Sequence, residues 1–427
     1  MERRRRIARD EVDELEAHLR DSIDALGARG LDDDEAFLVA IKRMGSTDAV
    51  AREFAREHSD RLWKQLVLDA APEHSGRHHE SVVVLALGAS AGVATCIGVH
   101  LLGDAVPRFL ALFVLPLLAA YFGWKRGTPA RVALLSGTVF AVAAVVLAVY
   151  PFVRGGSTEA LAAMHAPVLL WLVVGVFYTG GAWRSSPRRM DFVRFTGEFV
   201  IYYALIALGG GVVCALTINS FHAIGIDAEA FFQDWLIPGC AAGAVLVAAW
   251  LVEAKQDVIE NMAPVLTRIF TPVTLTMLIA VLAAFGVHPG LIGVDRDLLV
   301  LMAGVLVLVM GLLLYAISAR DPRRRPDLFD GLQVALVVAA VVVDLIVLLA
   351  MVTRTAEFGT SPNKAAALGL NLLLLVSLSW SAWLGIGFVR GRRRFDELEK
   401  WQTAMLPVYA VWAAVVVAGF GWLFAFS

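Results

Sequence analysis

Apolar runs of about twenty residues recur along this chain from residue 81 onward, and no other feature constrains its fold as strongly. Eleven are present, at approximately 81–103, 106–124, 130–152, 162–183, 195–217, 232–252, 269–288, 297–318, 330–353, 366–389 and 404–425. A helix needs about twenty predominantly apolar residues to cross the hydrocarbon core of a bilayer. No water reaches that core to serve open backbone groups, so each run is predicted to be helical. Transmembrane strands are excluded, because the runs are too long and do not alternate. The least regular runs are the second, with Pro107 and Pro116, and the fifth, with Glu198 and Gly209-Gly210-Gly211. Composition agrees. The 427 residues are 58% hydrophobic and 18% charged, where soluble domains run near half apolar and a quarter charged. A soluble globular enzyme, a disordered chain and a disulfide scaffold are excluded.

Basic residues between the runs give an orientation, because cytoplasmic loops carry the excess of Lys and Arg. With the N-terminus inside, the inner loops hold eighteen: Lys125, Arg126, Arg131, Arg184, Arg188, Arg189, Arg194, Lys255, Arg268, Arg320, Arg323, Arg324, Arg325, Arg390, Arg392, Arg393, Arg394 and Lys400. The outer loops hold five: Arg108, Arg154, Arg296, Arg354 and Lys364. The expectation is a bacterial-type cytoplasmic-membrane protein with its N-terminus in the cytoplasm and its C-terminus outside. The N-terminal region is charged for about 80 residues before the first run, so that run is expected to insert as a signal anchor.

Residues 1–70 read as a small helical domain. Val12, Leu15, Leu19, Ile23 and Leu26 make one amphipathic face between about Asp10 and Gly27, with Glu11, Glu14, His18, Asp21 and Asp24 opposite. A second helix over about 33–44 offers Phe37, Leu38, Ile41 and Met44, starts in an acidic cluster and stops at Gly45. A third buries Val50 and Phe54. Seventy residues make a marginal core, so such a domain is expected to dock on something; Leu15, His18, Leu19 and Phe37 are the candidate docking residues. The domain carries 13 basic against 17 acidic residues, which argues against direct nucleic-acid binding. Residues 71–80 are polar and include His74, His78 and His79; they read as a membrane-entry linker rather than a metal site.

The stretch from Glu11 to Asp21, with Gly30-Leu31 and the stretch from Glu35 to Gly45, resembles the permease prefix domain, one of the helix-turn-helix-associated alpha-helical signalling (HAAS) domains. The resemblance covers about residues 8–57. It implies a cytoplasmic signalling or assembly role, with a PadR-type transcriptional regulator or another cytoplasmic protein as partner, and no catalysis. A second resemblance spans roughly 190–425. The segments Ile317 to Pro322, Glu357 to Lys364, Trp401-Gln402 and Pro407 to Tyr409 are similar to a bacterial multi-pass membrane family of unknown function.

Several polar residues stand out against the apolar background. Gly359, Ser361 and Pro362 predict a tight turn between the ninth and tenth spans, as a helix stop, a cap and a proline at the first helical position. Arg354 and Glu357, three apart, are placed to pair on one helix face, and Asn363 and Lys364 follow the turn. Asp344 sits inside the ninth span, where a charge costs roughly 2.5 kcal/mol or more. It must face other helices or a wet cavity, either as a packing residue or on an ion or proton pathway. Asn371, in the tenth span, is placed to hydrogen-bond between helices. Glu198 lies near Arg194, where a local ion pair suits it. Four histidines beyond residue 80, His100, His165, His222 and His288, fall at outer ends or in outer loops, and their spacing does not require them to converge. Cys96, Cys214 and Cys240 are too far apart for a redox or metal motif and read as buried small residues.

No phosphate loop, zinc-protease or nucleophile-elbow motif is present, and neither enzymatic activity nor a cofactor is expected. The fold class expected is an all-α transmembrane bundle of about eleven helices with a cytoplasmic three-helix domain. The functional expectation is a membrane sensor or signalling component whose N-terminal domain contacts a cytoplasmic regulator. The alternatives are a secondary transporter using Asp344, or an accessory transporter subunit. Partners are membrane lipid, the regulator and, as an open alternative, a second copy of the chain.

Overall fold

Long apolar segments satisfy their backbones internally as helices, and the computed structural model of the protein is built from such helices. It describes residues 74–223, 226–227, 229–254, 262–287, 296–322 and 324–427. The expected three-helix domain over 1–70, with Leu15, His18, Leu19 and Phe37, lies outside them, as does His288. The chain divides into two compact units, Met1–His79 and Glu80–Ser427. The long helices among the described residues are α1 (His74–Leu102), α2 (Val106–Arg126), α3 (Ala130–Val149), α4 (Ser157–Tyr178), α5 (Ser186–Ala223), α6 (Ile237–Ala254), α7 (Met262–Val287), α8 (Arg296–Ala319), α9 (Leu328–Phe358), α10 (Pro362–Val389) and α11 (Phe395–Leu423). No strand occurs among the described residues.

Ten helical runs among the described residues are long and apolar enough to cross a membrane. The first, His79–Arg126, is 48 residues; drawn straight it would measure roughly 72 Å, more than twice the bilayer core. It breaks at a 3-10 turn, Gly103–Ala105, where Gly103 has a φ of 51°. The chain then doubles back. Glu80 Oε1, at the start of α1, accepts from Tyr121 Oη at 2.7 Å and Lys125 Nζ at 2.6 Å, at the end of α2. The run is therefore a hairpin of two crossings, and the eleven spans legible in the sequence are all present. Two expectations need correction at their edges. The polar linker is helical from His74, and α5 extends the fifth span to 38 residues.

Antiparallel α1 and α6 meet through two pairs of glycines. A Cβ on Gly92 would lie 2.8 Å from the Gly239 carbonyl oxygen, and one on Gly88 3.4 Å from that of Gly243. Small residues four apart let two transmembrane backbones approach this closely. Farther along the same seam, Cys96 Sγ donates to the Trp235 carbonyl at 3.1 Å, and the His100 ring lies 4.0 Å from that of Trp235. Cys96 is buried, but Cys214 is half-buried and Cys240 exposed. Burial therefore does not explain all three cysteines.

Two apolar cores result. One joins α1 to α6 around Leu118, Phe122, Leu170, Phe195 and Leu246. The other joins α7 to α11 around Leu306, Val309, Ala340, Val343, Leu374 and Leu378. Three residues of α4 reach helices of the second core: Ala162 and Ala166 pack with Val417 of α11, and Leu161 with Ala366, Val416 and Phe420. Outward positions stay apolar, with Leu101 78%, Val149 71% and Leu349 66% exposed, as lipid-facing surfaces require.

One end of the bundle gathers the arginine-rich turns. Arg126 Nη2 reaches both Glu253 oxygens, at 2.9 and 2.8 Å, and Lys125 lies 3.4 Å from the same carboxylate. Arg320 forks onto Asp330 at 2.8 and 3.0 Å, with its guanidinium 4.7 Å from the Phe388 ring and 4.8 Å from that of Phe395. Asp327 caps α9, accepting from the Phe329 and Asp330 amides at 3.0 and 3.1 Å.

Candidate functional site

The turn between α9 and α10 has the local chemistry read from its sequence. Gly359, at φ 72°, leaves α9 in a conformation that favours glycine. Ser361 caps α10, its Oγ accepting from the Lys364 amide at 3.4 Å, and Pro362 follows in the first turn. Lys364 Nζ donates back to the Gly359 carbonyl at 2.9 Å. Asn363 Nδ2 donates to Ser157 Oγ at 3.1 Å, tying the turn to the start of α4. The expected pairing of Arg354 with Glu357 does not form. Glu357 is exposed, Arg354 is half-buried, and no ion pair joins them. An exposed pair gains little and loses side-chain entropy, so correct spacing alone does not close it.

The six candidate residues thus split into two groups. Arg354, Glu357, Asn363 and Lys364 belong to the turn; Asp344 and Asn371 belong to the interior of the α7 to α11 core. Asp344 lies near the midpoint of α9, on a buried stripe with Val337, Ala340, Val347 and Met351. It is 0% exposed, and neither carboxyl oxygen has a hydrogen-bond partner. Asn371 is also 0% exposed; its Nδ2 donates to Met351 Sδ at 3.3 Å, while its Oδ1 receives no donor. That contact, together with the approach of Val334 to Gly385, sets the antiparallel register of α9 and α10. By this register Asp344 lies level with residues 375–378, which include the buried Ser377.

Sequence reasoning missed the rest of this polar file. Ser381 Oγ donates to the Ser377 carbonyl at 2.6 Å, and Trp401 Nε1 donates to the same carbonyl at 3.2 Å. Gln402 Nε2 donates to Ser381 Oγ, while Gln402 Oε1 receives no donor. Thr403 Oγ1 shares a hydrogen bond of 2.7 Å with Ser186 Oγ, at the basic end. Ser377, Gln402 and Thr403 are each 0% exposed. A spacing of four between Ser377 and Ser381 was the one local signal of a shared face. Trp401 and Gln402 entered the sequence reading only through a family resemblance.

Counting donors and acceptors defines the chemistry of the file. Four buried oxygens, those of Asp344, Asn371 Oδ1 and Gln402 Oε1, are acceptors without donors. A protonated carboxyl carries one O–H donor and an ionised one carries none. Ionising Asp344 in this packing would add a charge with nothing to pair it, and an unpaired buried charge is strongly destabilising. The arrangement can hold a proton or reorganise around its loss.

Among the described residues no group of three or more His, Cys, Asp or Glu side chains is placed to hold a metal. His100 and His165 each bond a carbonyl one turn back on their own helices, Cys96 at 2.9 Å and Leu161 at 2.8 Å, and His222 is exposed at the end of α5. No family model, curated protein or solved structure matches the chain. What fold and site together establish is a multi-pass, all-helical membrane protein with a polar file buried in the second of its two transmembrane cores.

Proposed function

We propose that this protein is a sensor or signalling component of a bacterial cytoplasmic membrane, with its N-terminus inside. Its N-terminal domain contacts a cytoplasmic regulator, and Asp344 sets the state of the helices α7 to α11. The observation that carries the reading is the complete enclosure of Asp344 with both oxygens unpartnered. A group whose charged and neutral forms suit different packings biases a two-state element. A transport pathway needs a wet cavity at its ion-binding residue, and this carboxyl reaches no surface. The excess of basic residues on one set of loops supports the orientation. The resemblance of residues 8–57 to signalling domains supports a partner of the PadR type.

A second reading, a proton-coupled secondary transporter, draws on the polar file from Asn371 through Ser377 and Ser381 to Gln402, which runs toward the basic end. Affinity isolation from native membranes separates the two, with the tag on residues 1–70. The signalling reading expects a helix-turn-helix regulator to co-purify and to be lost when Leu15 and Leu19 are both changed to Asp. A protein that isolates alone, and moves protons in vesicles only with Asp344 intact, overturns that reading in favour of transport.

A further inference from the structure

At the basic end, the last turns of α2, α4 and α6 and the first turns of α5 enclose a cavity of about 280 Å3. Arg126, Arg188, Arg194, Asp191, Glu198 and Tyr178 line it. Two of these arginines are held by the protein. Arg126 is fixed on Glu253, with its guanidinium 4.9 Å from the Tyr178 ring, yet its buried Nε has no acceptor. Arg194 Nε donates to the Ser318 carbonyl at 3.0 Å. Arg188 and Asp191 differ. They stand three apart on α5, a spacing at which opposite charges pair on a helix, but both are exposed and no ion pair joins them. Both turn a charge toward the same cavity instead.

The lining is mixed in sign, and that selects the ligand. A purely anionic guest would meet the Asp191 and Glu198 carboxylates, and a purely cationic guest would meet three guanidiniums. We propose that the cavity binds a zwitterionic head that carries a phosphate ester and an ammonium close together. The phosphate lies against Arg188 and Arg126, where guanidinium forks suit its oxygens, and the ammonium lies against Asp191. Helices long and apolar enough to cross a bilayer end around the cavity, and headgroups lie at the ends of such helices. The ethanolamine headgroup of a phospholipid has this chemistry, and so does free phosphoethanolamine.

The test titrates the purified full chain in detergent with phosphatidylethanolamine and, in parallel, with phosphatidylglycerol of the same acyl chains, counting bound lipid by native mass spectrometry. O-phosphoethanolamine is titrated separately by calorimetry. The ethanolamine lipid is expected to bind about tenfold tighter than the glycerol lipid, the scale of one added charge-assisted contact. Arg188→Gln weakens both lipids, whereas Asp191→Asn abolishes the preference and leaves phosphatidylglycerol binding in place. Calorimetric binding of O-phosphoethanolamine assigns the site to the free compound, and its failure beside lipid binding assigns it to the membrane. Equal binding of the two lipids, an unchanged ratio in Asp191→Asn, or no binding of either head overturns the proposal. Thermal unfolding of both variants, expected at the wild-type temperature because the two side chains are exposed, separates lost binding from lost fold.

Discussion

Gly92 of α1 lies against Gly239 of α6 so closely that a Cβ on Gly92 would fall 2.8 Å from the Gly239 carbonyl oxygen. The obstacle is backbone, which cannot rotate away. Gly92→Leu is therefore expected to cost about 1–3 kcal/mol through overpacking. Gly137→Leu, on α3 where nothing lies within 4 Å, leaves stability unchanged. Thermal unfolding of the detergent-purified protein checks both; an equal effect at the two positions contradicts the close-packed seam.

Glu253, with its side chain 2% exposed, serves Arg126 and Lys125 together. Removing it strips the largely covered Arg126 guanidinium of its carboxylate, while Lys125 keeps Glu80 at 2.6 Å. Glu253→Ala is expected to destabilise by about 3–5 kcal/mol, as for one member of a buried pair. Lys125→Met is milder, because Arg126 still holds Glu253. A double-mutant cycle between Glu253 and Arg126, read from unfolding midpoints, should give a coupling that salt screens only weakly. Additive single effects would mean that Glu253 and Arg126 do not stabilise one another.

Spans, turns and caps were legible because each depends on neighbours in sequence. Twenty apolar residues dictate a crossing wherever they occur, and Gly359-Thr360-Ser361-Pro362 dictates its own turn. Partners distant in sequence were not legible. Glycines four apart at 88 and 92, and again at 239 and 243, were visible, but only the fold pairs them. Gln402 reaches Ser381 only once the α10–α11 hairpin sets its register. Lys125 and Arg126 counted as orientation signals, while their shared carboxylate lay over a hundred residues away. Asp344 was the reverse case. A carboxyl in an apolar run announced itself, and the structure added that nothing pairs with it.

The bond from Gln402 to Ser381 is the most enclosed side-chain link in the polar file. Ser381→Ala strands the Gln402 amide, and an unsatisfied buried group costs about 1–3 kcal/mol. Adding Gln402→Leu removes both partners, so the double variant is expected to recover most of that loss. Unfolding midpoints of the three variants decide the matter. A double variant less stable than Ser381→Ala would mean that Gln402 has another essential contact.

On the proposed reading, Asp344 controls the state of the membrane unit without lining a path through it. The most direct measurement compares wild type with Asp344→Asn, which keeps shape and removes the ionisable group. The protein is isolated from native membranes through a tag on residues 1–70, and the same preparations are reconstituted into vesicles that report internal pH. The amount of captured regulator is expected to change several-fold, proton flux to stay at the level of empty vesicles for both proteins, and unfolding temperature not to fall. Unchanged capture together with a proton flux that Asp344→Asn abolishes would contradict that reading.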